Sequence, residues 1–187
     1  SDNRAPPFST RHGLSGPAPF DYMRLAHPPV TFRHEKLKVE QRIPAAQAYI
    51  TQHGLNEQVD GDLKDLGLVV QGGLYNALMR ALRQCGLADA LGTSRVPLLV
   101  LNVTYPLVPQ QVAGFCSGRR AVLVVEEGSP EYIEKDIATL LRQQDIQTPL
   151  HGKDLLPPAG EYSVEVRVRG LVALLQRHQP QVDVSAA

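Results

Sequence analysis

Apolar positions are unevenly spaced along the chain, and the spacing changes character near Asp65. From Arg33 to His53, Leu37, Ile43, Ala46 and Ile50 recur at roughly helical intervals among helix formers, which predicts a helix that Pro44 must kink or restart and that Gly54 ends. After Asp65, short uninterrupted apolar runs alternate with amphipathic stretches. Leu66–Val70, Pro97–Val103 and Ala121–Val125 predict buried strands, with a weaker strand at Thr148–His151. Between them, Leu74, Ala77, Leu78, Ala81, Leu82 and Cys85 form a helical stripe stopped by Gly86. A second helix starts at Pro109, carries Val112, Phe115 and Cys116, and ends at Gly118. A third is predicted to start at Ser129-Pro130-Glu131, as side-chain cap, first-position proline and first-turn acid, with Ile133, Ile137, Leu140 and Leu141 as its stripe. In Ser163–Arg169 valines alternate with charges as in a strand, yet the apolar spacing continues to Leu175, beyond ordinary strand length, so helix is the expectation.

This alternation predicts an α/β fold: a three-layer α/β/α sandwich around a mainly parallel sheet of about four or five strands. The stretch Asn56–Asp65 is acidic and turn-prone and reads as a boundary. Residues 1–65 are expected to form a Pro-rich arm and a linker helix, 66–178 the α/β domain, and 179–187 a tail. The arm, with six prolines between Pro6 and Pro29 and apolar anchors at Phe8, Phe20, Tyr22, Met23 and Leu25, reads as a docked linker.

Composition narrows the function classes. The 187 residues carry 19 Lys plus Arg and 19 Asp plus Glu, a formal net charge of zero that argues against nucleic acid or a membrane surface as partner. Two isolated cysteines, Cys85 and Cys116, suit neither a disulfide framework nor a zinc site and point to a reducing, cytoplasmic setting. Both fall on predicted apolar helix faces and read as buried hydrophobes.

In open α/β sheets ligands gather at the carboxyl ends of the strands. Those ends carry Gly72 and Gly73, then Thr104 and Tyr105, then Glu126 and Glu127. Gly72-Gly73 before a helix is compatible with an anion held by backbone amides or with a tight strand–helix turn. Adjacent Glu126 and Glu127 cannot share one face of an extended segment, so they do not by themselves form an acid/base pair; one caps a helix or meets a cation of a partner. His151-Gly152-Lys153-Asp154 is either a phosphate turn or an ordinary surface turn, and no two of the six histidines have metal-ligand spacing.

Several strings resemble, in order, the central region of the indolepyruvate ferredoxin oxidoreductases, within the 2-oxoacid:ferredoxin oxidoreductase family: Leu66–Asn76 (LGLVVQGGLYN), Leu99–Pro109 (LVLNVTYPLVP), Arg120–Glu134 (RAVLVVEEGSPEYIE) and Leu155–Glu161 (LLPPAGE). The resemblance covers Leu66 to about Leu175, and Arg33–His53 more loosely. It implies a fold like the C-terminal domain of transketolase, with an antiparallel strand ahead of Leu66 for which Val30-Thr31-Phe32 is the candidate. It also implies a longer parent that oxidatively decarboxylates arylpyruvates to acyl-CoA with thiamine diphosphate, magnesium, iron–sulfur clusters, coenzyme A and ferredoxin. The departures locate that chemistry elsewhere. Asp60-Gly61-Asp62 lacks the first glycine of a magnesium–pyrophosphate motif, and the cysteine repeats of cluster binding are absent. The expectation is a domain without its own active site or cofactor, whose strand-end edge meets neighbouring domains or the second subunit of a homo-oligomer. The alternative is a module that binds a small anion or coenzyme A at that edge.

Overall fold

The computed structural model describes Asp21 and residues 27–184, and the chain divides into two compact units, Ser1–Arg42 and Ile43–Ala187. The arm expected over residues 1–29 and the end of the tail lie almost wholly outside the described residues.

In the first unit, α1 spans Val30–Leu37 and passes into a π-helical turn over Lys38–Arg42. Val30-Thr31-Phe32 is therefore the first turn of a helix, which corrects its assignment as the antiparallel strand.

The second unit begins with α2, Ile43–Gln52, in which Pro44, which has no amide to donate, is the second residue. Gly54, at φ +57°, ends it as expected, and the amide of Leu55 reaches back to the carbonyl of Ile50 at 3.0 Å. The acidic stretch that follows holds a short strand, β1 (Glu57–Val59), antiparallel to β3. Its residues are mostly exposed and only one is apolar, so no alternation marks it.

Strands β2 (Leu66–Gln71), β3 (Leu98–Leu101), β4 (Ala121–Val125) and β5 (Leu150–His151) pair in parallel, giving the order β1-β3-β2-β4-β5. Side chains alternate across each strand, and both faces are buried. Leu66, Leu68, Val70, Leu98, Val100, Leu123 and Val125 pack with α3 (Tyr75–Gln84) and α6 (Val164–His178). Val69, Leu99, Leu101, Val122 and Val124 pack with α4 (Pro109–Cys116) and α5 (Tyr132–Gln143) on the other face. The expected three-layer α/β sandwich with five strands is thus present. So is the helix expected after Ser163, whose hydroxyl accepts from the amide of Val166.

One helix start differs from expectation. Helix α5 begins at Tyr132, not at Pro130, and neither Ser129 nor Glu131 caps it with a side chain. The acceptor comes from the end of β4 instead, as described below.

Candidate functional site

The connection from β2 to β3 runs through α3 on one face, and that from β4 to β5 through α5 on the opposite face. The connections leaving adjacent β2 and β4 therefore diverge at the carboxyl ends, which is where open sheets leave a crevice. Gln71, at the end of β2, spans the divergence: its Oε1 accepts the amide of Glu127 at 3.1 Å.

Beside this bridge lies a cavity of about 360 Å³ lined by Gln71, Thr104, Tyr105, Glu126, Tyr132, Ile133 and Asp136. Tyr105 and Tyr132 are 62% and 67% exposed, so two aromatic rings stand at its mouth. A second crevice, of about 450 Å³, includes Gly72, Gly73, Asn102 and Thr104 and shares Gln71 with the first. The structure therefore brings Thr104, Tyr105 and Glu126 to one cavity and Gly72, Gly73 and Thr104 to its neighbour. Glu127 lines neither.

Both glutamates are engaged within the chain. Glu126 is 5% exposed, and its carboxylate oxygens accept the amides of Ile133 and Glu134, each at 3.0 Å. These are orphan donors of the first turn of α5, so a buried negative charge sits where the helix dipole favours it. Glu127 accepts the amide of Tyr162 at 3.1 Å and lies 3.8 Å from the guanidinium of Arg167. Arg167 is itself buried on α6, with its Nε unpartnered, and burial lowers its pKa while Glu127 and Glu161 raise it.

Gly72 has a packing reason. It belongs to a single 3₁₀ turn, Gly72–Leu74, and a Cβ there would fall 2.3 Å from Oδ1 of Asn102 and 3.4 Å from its Cα. Asn102 is occupied in turn, donating to the carbonyl of Leu55 at 2.9 Å and to Glu57 at 2.8 Å, which fastens β1 beside the crevice. Around Gly73 the space is open.

Lys153 points inward. Its ammonium donates to the backbone carbonyl of Glu126 and to the hydroxyl of Tyr162, both at 2.6 Å, and lines neither crevice. The buried Tyr162 hydroxyl donates onward to the carbonyl of Pro157 at 2.6 Å. A phosphate at the turn containing Lys153 would have to displace these partners. His151, expected at the end of a weak strand and in either a phosphate turn or a surface turn, is buried on β5 and paired through both ring nitrogens, to Asp154 at 2.7 Å and to His178 at 2.8 Å.

Gln71, Tyr132, Asp136, Arg167 and the His151–His178 pair were not singled out from the sequence as site residues. A glutamine closing a strand signals only its place at the sheet end. Tyr132, Asp136, Arg167 and His178 lie on helices and His151 on β5, at positions whose neighbours cannot be inferred from spacing.

The residues present do not fit two of the groups implied by the resemblance, a magnesium ion and an iron–sulfur cluster. Among the described residues, no group of three His, Cys, Asp or Glu side chains is placed to hold a metal ion. Cys85 and Cys116 are buried on opposite faces of the sheet; burial raises both thiols, that of Cys116 to about 11. Asp60-Gly61-Asp62 is a packed turn in which Gly61 faces the backbone of Arg95 and Pro97, and Asp62 pairs with Arg95 at 3.1 Å. No described helix is long and apolar enough to cross a membrane.

No protein-family profile matches the chain. Among characterised proteins it is similar to the indolepyruvate oxidoreductase subunit IorA of Methanothermobacter marburgensis, with 29% identity over 160 residues, and of Methanothermobacter thermautotrophicus, with 29% over 157 residues. The IorA subunit of Thermococcus kodakarensis matches at 28% over 115 residues. The first of these alignments takes in 83% of this chain and 25% of the relative, so the chain spans about a quarter of the length of the proteins it matches. Among solved structures, an inactive β4 tetramer of a split-gene transketolase superposes with TM-score 0.49 at 17% identity, covering 68% of this chain and 42% of that one. The 2-oxoglutarate:ferredoxin oxidoreductase of Magnetococcus marinus does so with TM-score 0.43 at 16% identity, covering 63% and 19%. The strings at Leu66, Leu99, Arg120 and Leu155 thus pointed to the proteins it resembles, and by sequence the chain is similar to the indolepyruvate oxidoreductase IorA subunits.

Proposed function

We propose that this chain is an interface-forming domain of an indolepyruvate oxidoreductase, in which the carboxyl edge of the sheet meets a neighbouring domain or a second subunit. The observation that carries this reading is the use of the edge carboxylates. Glu126 is committed to the amides of α5 and Glu127 to the Tyr162 loop, while Tyr105 and Tyr132 stand exposed beside them. An edge whose acids hold the fold and whose aromatic rings face outward suits a protein contact better than acid/base chemistry. The parent would oxidatively decarboxylate arylpyruvates to acyl-CoA, with thiamine diphosphate, magnesium, clusters, coenzyme A and ferredoxin engaged by regions outside this chain.

Tyr105→Glu and Tyr132→Glu test this reading. In the 187-residue chain both should leave the unfolding midpoint almost unchanged, since the rings are exposed. In the complete oxidoreductase they should weaken assembly on size-exclusion chromatography and lower turnover. Full assembly and activity in the double variant would overturn the reading.

The open space at Gly73, in a crevice of about 450 Å³ at the amino end of α3, supports a second reading as a site for a small anion or coenzyme A. No lysine or arginine lines that crevice, which makes it the weaker of the two. A melting temperature that rises with phosphate or coenzyme A concentration, and does not rise in Gly73→Glu, would favour it.

A further inference from the structure

The carboxyl end of α6 is held to the sheet by polar contacts from four directions. The guanidinium of Arg120, at the start of β4, donates to the carbonyl of His178 at 3.2 Å and pairs with Asp65 at 3.2 Å. Gln179 donates to the same Asp65 carboxylate at 3.0 Å. Arg177 lies 3.6 Å from Asp154. The fourth contact joins two imidazoles: Nε2 of His151 on β5 faces Nε2 of His178 at 2.8 Å, and Nδ1 of His151 faces Asp154 at 2.7 Å.

The proton inventory of this chain of groups is restrictive. The Asp154 carboxylate accepts, so Nδ1 of His151 carries hydrogen, and in the neutral ring its Nε2 is bare. That bare nitrogen accepts the Nε2–H of His178, whose Nδ1 is then the only imidazole nitrogen left to take a proton. One added proton is tolerated there without breaking a hydrogen bond. A second must go to Nε2 of His151, which sets two N–H donors and two positive rings against each other at hydrogen-bond distance.

We propose that His151 and His178 form a proton-gated clasp that holds the end of α6 against β5 while the pair carries at most one extra proton and lets it go when the second binds. The surrounding charges set where this happens. Arg177 and Arg120 oppose a proton on His178 and Asp154 favours one; Asp65 is taken by Arg120 and Gln179, and Glu134 accepts the Lys153 amide. Burial, and next the positive neighbours His151, Arg177 and Arg120, hold His178 below the usual histidine value of 6.5. A histidine with a lowered folded pKa binds its proton more readily when unfolded. Its contribution is whole above about pH 6.5 and is lost as pH falls through the lowered folded value.

The turn between His151 and Asp154 also carries Lys153, whose ammonium holds the Glu126 carbonyl and Tyr162. Opening the clasp therefore loosens a segment anchored at the strand-end crevice. The inference does not depend on what that crevice meets.

Amide hydrogen exchange of the 187-residue chain, corrected for intrinsic rates, tests the clasp between about pH 7.5 and about pH 5. Protection at Leu174–His178 should fall severalfold more than at Leu78–Gln84 of α3. In His178→Gln, whose amide does not titrate and can offer its NH2 to a bare Nε2 of His151 or its oxygen to a protonated one, the two helices should respond alike. Equal responses in the unsubstituted chain, or a difference that persists in His178→Gln, would overturn the proposal. A nitrogen-15 spectrum at about pH 7.5 provides a readout without substitution: His151 should carry its hydrogen on Nδ1 and His178 on Nε2. Hydrogen on Nε2 of His151 in the neutral pair would also overturn it.

Discussion

The buried carboxylate of Glu126 accepts the amide of Ile133 at 3.0 Å, and its second oxygen accepts the amide of Glu134 at the same distance. A residue at the end of β4 thereby does for α5 what a local cap would otherwise do. Replacement by alanine leaves two helix-terminal amides without their acceptor and should cost about 1–3 kcal/mol in urea unfolding. Glu126→Gln keeps one acceptor oxygen and should cost less. If Glu126→Ala melts like the parent chain, the carboxylate is not what holds the start of α5.

Lys153 and Tyr162 form a linked pair, with the ammonium 2.6 Å from the hydroxyl and 4.7 Å from the ring centre. Lys153→Met and Tyr162→Phe should each destabilise, because each leaves a carbonyl, of Glu126 or Pro157, short of a donor. The double variant should lose less than the sum, with a coupling of about 0.5–3 kcal/mol. Additive losses would show that the two contacts are independent.

Gly61 leaves no room for a side chain: a Cβ would sit 2.3 Å from the carbonyl oxygen of Arg95 and 2.8 Å from the nitrogen of Pro97. Both obstacles are backbone, so Gly61→Ala must push the turn away from the segment leading into β3, at a cost of about 1–3 kcal/mol. Asp62→Asn removes only an exposed pair with Arg95 and should leave the unfolding midpoint nearly unchanged. The reverse ranking would return the Asp60-Gly61-Asp62 string to consideration as a charged site.

The two thiols should be inert in the folded chain. Cys116 is buried, and its pKa is pushed up to about 11, so almost no thiolate exists at neutral pH. Alkylation by iodoacetamide should be slow for both Cys85 and Cys116 under native conditions and rapid in denaturant. Fast native labelling of either would contradict their burial.

Much of the sheet was legible because β2, β3 and β4 are buried on both faces and so read as unbroken apolar runs. Helix α6 was legible because its apolar spacing outlasts a strand. Strand β1 was not, since an edge strand of three residues exposes most of its side chains and owes its place to Asn56 and Asn102. The start of α5 was misread for a related reason. Ser129-Pro130-Glu131 has the composition of a local cap, but Glu126 supplies the acceptor from outside the helix.

Along one edge, the sequence by itself determined that Gly72, Gly73, Thr104, Tyr105, Glu126 and Glu127 lie at strand ends, because strand periodicity and direction suffice for that. It also determined, through strings at consistent spacing, which proteins this chain is similar to. Only the tertiary structure decided what the edge residues do: Glu126 turns to helix amides, Glu127 to the Tyr162 loop, and Lys153 inward, leaving Tyr105 and Tyr132 at the surface. It alone brought His178 to His151 from 27 residues away. Periodicity records which face of an element is buried, whereas hydrogen-bond partners depend on how elements from distant parts of the chain are stacked.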